Sequence, residues 1–344
     1  MRSRIALVAL AMALPTAAFG FPSHQLRSDA PRVYTVQKGD TLWGIADKFL
    51  KDPWRWPDLW DRNPYISNPD LIYPGDRLRL ISDKGESRIK RQRVERLAPA
   101  VKEGPAQRLE AIATVDPDQV RPFLRRYGLV GPDRSAQSTG GSLVASDKDA
   151  ALIAAGDRVF FQMRTDEPQA GSWFTYDQRH PLTDPENNQR LGYLIRHSGR
   201  ARLDNPTGTG LYAGRIRESF TAIEPGANIY RGHTVGDLRF LPRQGPDVTG
   251  QILRPVGEES ILGRGQMVVV DVGAAQGLER GDVLTVQGAQ REVANPVTEE
   301  PARIPGRKKG SLMIVRTTKQ VSFGLIVAST RTIEKGDQVR QPEG

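Results

Sequence analysis

The sequence predicts a multidomain α+β chain: one small β-α-α-β module near the N-terminus, then β-rich domains of barrel or sandwich type. Two observations lead there. Between Tyr34 and Leu80, apolar residues at helical spacing are flanked by two short alternating segments. Beyond about residue 111, short β-branched runs recur between turns rich in Gly, Pro and Asp. The length, 344 residues, accommodates about two or three domains.

Met1 to Gly20 carries Arg2 and Arg4, an apolar run from Ile5 to Leu14, and small residues at Thr16-Ala17-Ala18-Phe19-Gly20. This layout marks residues 1–20 as an expected secretory signal peptide, with an apolar run too short to span a bilayer. No later stretch reads as a transmembrane helix. There is no cysteine, which excludes disulfides, thiolate nucleophiles and thiolate-ligated metals. The net charge of +9 reads as a solvated basic surface. For an exported chain, the available anions are the acidic peptides and polymers of the cell wall rather than nucleic acid.

The module opens with a strand at Tyr34-Thr35-Val36 and turns at Gly39-Asp40. A helix is expected from Thr41 to Leu50, because Leu42, Ile45, Ala46 and Phe49 fall on one face. Asp40 or Thr41 supplies its cap, since a short side-chain oxygen satisfies an orphaned backbone donor there. A second helix is expected from Pro57 through Leu59 and Trp60 to Asn63-Pro64, proline suiting the first helical position and the residue before proline avoiding the helical region. The return strand runs from Asp76 to Leu80 after the Pro74-Gly75 turn.

These residues carry a resemblance. Val36 to Ala46 (V-x-x-G-D-T-L-x-x-I-A), Asn63, Asn68-Pro69-Asp70-x-Ile72 and Pro74-Gly75-Asp76-x-Leu78 resemble a complete LysM domain, expected over residues 32–81. The resemblance implies binding of N-acetylglucosamine-containing glycans, in bacteria peptidoglycan. It places the groove between Gly39, Asp40, Thr41 and Leu42 on one loop and Asn68, Pro69, Asp70, Leu71 and Ile72 on the other. A neutral glycan suits backbone and small polar partners beside an apolar wall. Trp54, Trp56 and Trp60 suggest stacking platforms, but so small a module needs large side chains for its core, and packing is the favoured reading.

Residues 82–110 are polar with a basic run from Arg88 to Arg96, and read as a charged linker or strand-like exit. The middle domain, 111–250, starts with a short helix at Val120–Leu124 and a loop from Tyr127 to Ser138. Strands are expected at Leu143–Ala145, Arg158–Gln162, Ser172–Asp177, Leu191–Ser198, Tyr212–Thr221 and Asn228–Tyr230. The C-terminal domain, 251–341, has strand signals at Met267–Val272, Asp282–Gln287, Leu312–Thr317 and Val321–Ser329, with a long loop from Ala289 to Gly310. A weak repeat joins Ala154–Val159, Ile223–Ile229, Leu278–Leu284 and Ile333–Val339, each a glycine turn and a polar residue entering a strand. Two related β units in tandem would explain it. The recurrent Gly-Asp reads as turn chemistry rather than a metal site.

No catalytic pattern stands out. His24, His180, His197 and His233 have no metal-ligand spacing, no G-x-S-x-G elbow occurs, and Glu258-Glu259 lies in a polar loop. Gly208-Thr209-Gly210 opens a hairpin rather than a nucleotide loop. The glycines and strands from Val269 to Val339 resemble the C-terminal region of the flagellar assembly protein FlgT. Together with the signal and the LysM pattern, the chain resembles the type IV pilus secretin-associated protein (TsaP) family. That resemblance implies a non-catalytic periplasmic protein without cofactor or metal. It would anchor or stabilise the outer-membrane secretin from peptidoglycan, as a homo-oligomeric ring. The alternatives are a LysM-targeted wall-remodelling enzyme and a flagellar or other envelope scaffold.

Overall fold

A computed structural model describes residues 21–22, 25–57, 72–83, 86–92, 114–132, 140–148, 151–164, 172–207, 210–232, 242–259, 261–289, 291–294, 301–304 and 306–342. The chain is mostly β, with few helices. The N-terminal module has β1 (Phe21–Pro22), β2 (Val33–Thr35), α1 (Leu42–Phe49), a 3₁₀ turn at Pro53–Arg55, β3 (Arg77–Asp83) and β4 (Glu86–Gln92). Its antiparallel sheet has the order β1-β4-β3-β2. Strand β4 lies inside the stretch expected as a linker. Ile89 is buried in the module core with Phe49, Leu50, Trp56, Ile72 and Leu78, so the segment folds back instead of extending. Residues 93–113, and the second helix beyond Pro57, lie outside the described residues.

Helix α2 (Pro117–Arg126) begins at Asp116, whose Oδ1 accepts from the Asp118 N–H at 2.9 Å. It leads into β5 (Tyr127–Val130), which pairs with β9 (Arg190–Pro206) where a loop was expected. The first barrel consists of β6 (Gly141–Ser146), β7 (Arg158–Met163), β8 (Ser172–Thr183), β9, β10 (Leu211–Ser219) and β11 (Asn228–Arg231). It closes through the pairing of β10 with β9, in the order β10-β7-β6-β11-β8-β9.

The second barrel consists of β13 (Thr249–Pro255), β14 (Met267–Val270), β15 (Asp282–Gln287), β18 (Lys308–Thr317), β19 (Ser322–Ser329) and β20 (Gln338–Arg340). The pairing of β15 with β20 closes it, in the order β19-β14-β13-β20-β15-β18. Strand β12 (Arg243–Gln244) adds to this sheet beside β15. The stretch 289–310 contains a hairpin of β16 (Arg291–Ala294) and β17 (Pro301–Ile304), where a loop was expected. Its prolines conceal it, Pro301 standing at the first strand position where a missing donor is tolerated.

Counted from first strand to sixth, both barrels follow one cyclic order: fifth, second, first, sixth, third, fourth. Isolated bridges Ile153↔Ile223 and Leu262↔Ile333 occupy matching places. The repeat seen in the sequence is thus the turn grammar of two barrels of one design, closed barrels rather than sandwiches.

Each barrel is filled by its own side chains: Val159, Phe161 and Ile216 among others in the first, Val268, Leu312 and Ile326 among others in the second. The second barrel is apolar outside as well. Met267, Val269, Met313 and Leu325 alternate out of the barrel and are buried with Trp43, Trp54, Val120 and Leu124. The module is therefore docked against the second barrel, with α2 in the same apolar cluster. The Trp43 N–H, an orphan donor of the first turn of α1, is satisfied by the Thr114 carbonyl at 3.0 Å. An ion pair between Lys308 Nζ and Asp52 at 3.9 Å adds to the junction.

Candidate functional site

The first loop of the expected groove is built on a four-residue turn. In Gln37-Lys38-Gly39-Asp40, the Asp40 N–H donates to the Gln37 carbonyl at 3.2 Å, and Gly39 has φ 91°. That left-handed value suits glycine. The Asp40 carboxylate closes the turn, accepting from the Gln37 N–H at 2.7 Å and the Tyr34 hydroxyl at 2.9 Å. Burial, reinforced by the Asp40 carboxylate, pushes the Tyr34 hydroxyl up to about 12, so it stays a donor. The helix cap is Thr41, whose Oγ1 accepts from the Gly44 N–H at 3.0 Å. Asp40 therefore locks the turn instead of capping the helix.

The same device forms the turn before β3. Asp76 accepts from the Tyr73 N–H at 3.1 Å, with Gly75 at φ 97°. Two backbone bonds join the turns: Val36 N–H to the Asp76 carbonyl at 2.9 Å and Gly75 N–H to the Val36 carbonyl at 2.8 Å. The end of the second groove loop is thereby held beside the first.

Of the expected glycan contacts, Gly39 is exposed, and Asp40 and Thr41 are half-buried with side chains committed to turn and cap. Leu42 and Ile72 are buried in the module core. Asn68, Pro69, Asp70 and Leu71 lie outside the described residues, as does Trp60. Trp56 is buried in the module core and Trp54, 8% exposed, against the body; neither offers a stacking face. Trp43 is a junction residue, buried with the second barrel.

Beside the first loop lies a cleft of about 320 Å³ between α1 and the body, lined in part by Thr41, Lys48, Asp116, Gln119 and Arg264. The residues contributed by the body were not legible in sequence, because they come from α2 and from the turn before β14.

Perturbed groups elsewhere have structural explanations. His197 is 1% exposed, with Nδ1 2.7 Å from the Arg125 carbonyl and Nε2 2.6 Å from the Tyr230 hydroxyl, and Phe174 is stacked on its ring. Burial pushes it down to about 4. Asp271, raised to about 6 by burial, accepts from the Gln251 N–H at 2.7 Å and ties β13 to the end of β14. No group of three or more His, Cys, Asp or Glu among the described residues is placed to hold a metal, and no described helix is long and apolar enough to cross a membrane.

A pair of tethered turns stands at the start of a helix, on a small sheet. Residues 34–80 match the LysM domain, a binding rather than catalytic domain that recognises peptidoglycan and related carbohydrates. Three curated relatives share sequence with part of the chain. The uncharacterized protein YqbP of Bacillus subtilis is 39% identical over 61 residues, covering 15% of this chain and 28% of that protein. The spore coat assembly protein ExsA of Bacillus cereus is 45% identical over 51 residues, 15% of this chain and 8% of that one. SpoIVD-associated factor A of Bacillus subtilis is 40% identical over 52 residues, 15% and 13%. In each case, the alignment spans less than a third of the relative's length.

Proposed function

We infer that this protein is a non-catalytic anchor of the cell envelope. The LysM domain holds N-acetylglucosamine-containing glycan strands of peptidoglycan, and the two barrels form the body that stabilises an outer-membrane secretin of the type IV pilus. Copies of the chain form a ring around that pore in the periplasm. The observation supporting this reading most directly is a LysM module docked on the second of two tandem barrels whose interiors are filled with their own side chains. Such a body offers surface to a partner, not a chamber to a substrate. Gly39, Asp40, Thr41 and Leu42 on one loop and Asn68, Pro69, Asp70, Leu71 and Ile72 on the other form the groove, largely through backbone groups.

Deleting residues 32–81 is expected to abolish pelleting with insoluble peptidoglycan. Affinity purification of the intact chain from envelopes is expected to bring down the pilus secretin. Recovery of flagellar components in its place would overturn the pilus reading, and a clearing band on a peptidoglycan zymogram would overturn the non-catalytic one.

A further inference from the structure

The two barrels match strand for strand, so their outer surfaces can be compared position by position. The turn Gly263-Arg264-Gly265-Gln266 enters β14 as Ala154-Ala155-Gly156-Asp157 enters β7, which sets Met267 opposite Arg158. Gly324 in β19 matches Gly214 in β10, which sets Leu325 opposite Arg215. The registers agree independently. Met267 pairs with Leu325 and Leu325 with Met313 across three adjacent strands. Arg158 pairs with Arg215 and Arg215 with Arg202 across the corresponding three. The row that is Met-Leu-Met on the second barrel is Arg-Arg-Arg on the first.

The two rows have opposite fates. Met267, Leu325 and Met313 are buried in the cluster that seats the module. Arg158, Arg202 and Arg215 are exposed, as is Arg217, two residues further along the same face of β10. Among the described residues, none of the four has a carboxylate within ion-pair distance. Arg215 Nη1 donates to the Gly156 carbonyl at 2.8 Å, and the Arg158 guanidinium lies 5.6 Å from the Phe160 ring centroid. Like charges directly opposite on neighbouring strands destabilise a sheet. A row of three arginines without counter-charges runs against that rule, and such local violations mark functional surfaces.

We propose that this arginine row is a second docking surface for peptidoglycan, taking the carboxylates of its peptide stems. This rests on the LysM domain holding the glycan of the same polymer. Guanidinium groups suit carboxylates through paired N–H donors. Once the module is bound, the stems are presented at high effective concentration, so an exposed and individually weak ionic surface suffices. The neutral glycan is read by the turns of the module, and the anionic peptides by the first barrel.

The test uses the full chain, the triple variant Arg158→Gln/Arg202→Gln/Arg215→Gln, and three probes: insoluble peptidoglycan, chitin as a neutral N-acetylglucosamine polymer, and anionic phospholipid vesicles. The variant is expected to bind peptidoglycan about tenfold more weakly and chitin as the parent does. Salt at about 0.5 M should erase the difference. The variant should also resist urea at least as well as the parent, because a repulsive row has been removed; a purely structural role would lower that resistance. Unchanged binding to peptidoglycan by the variant, with chitin still bound, overturns the second surface and leaves the LysM reading standing. Arginine-dependent binding to vesicles but not to peptidoglycan assigns the row to a lipid surface and overturns it too. Arginine-dependent peptidoglycan binding without chitin binding overturns the LysM reading and leaves the surface.

Discussion

Asp337 shows how much one carboxylate does at a strand entrance. It is 3% exposed, accepts from the Glu334 N–H at 2.8 Å, and receives Lys309 Nζ at 2.8 and 2.9 Å. Asp282 and Asp157 hold equivalent turns, closing onto Glu279 N–H at 2.7 Å and Ala154 N–H at 2.9 Å. Replacing Asp337 by Ala strands a backbone donor and a largely buried ammonium, and is expected to cost about 2–4 kcal/mol in urea unfolding. Asp157→Ala should cost less, since its partner Lys148 is 67% exposed. These turns were readable beforehand because glycine and aspartate act within four residues of each other. The basic partners were not, Lys309 reaching Asp337 from a different strand.

His197 gives the residue scale its pH dependence. Its folded value near 4 lies below the ordinary 6.5, so the unfolded chain takes up the proton first. Its contribution is fully present above about pH 6.5 and is lost as pH falls toward 4, by about 3 kcal/mol in all. Urea midpoints measured across that range should fall less steeply for His197→Gln than for the parent.

At the level of elements, α1 was legible in full because its signals are local: Leu42, Ile45, Ala46 and Phe49 on one face, with Thr41 as cap. Four strands of the second barrel, β14, β15, β18 and β19, were legible from β-branched content, although Met267–Val270 does not alternate, being buried on both faces; β13 was not. Strand β5 was hidden, because Tyr127-Gly128-Leu129-Val130 is a strand only by virtue of its pairing with β9. The junction of α1 with the second barrel was hidden for the same reason: nothing near Trp43 or Trp54 in sequence points to Leu325. Trp43→Ala and Trp54→Ala should each lower the stability of that junction by about 3–5 kcal/mol. Limited proteolysis should then cut the module away while the barrels survive.

Across the whole molecule, the LysM match of residues 34–80 was legible, and the relation of module to body was not. The charged stretch between residues 82 and 110, read as a linker or strand-like exit, gave no sign of how the module meets the barrels. The structure seats it on the second barrel through Trp43, Trp54 and the Thr114 carbonyl. Removal of residues 32–81 should therefore do more than abolish pelleting. It uncovers Leu325, Val327 and Val115, and the remaining barrels should bind a hydrophobic dye more strongly than the parent.

The common strand order of the barrels also bears on where the module sits: the second barrel carries an apolar row where the first carries arginines. The first barrel has the strand order of the barrel on which the module is seated, with arginines at the three positions compared. Three substitutions, Arg158→Met, Arg202→Met and Arg215→Leu, would give the first barrel the apolar row by which the second receives the module.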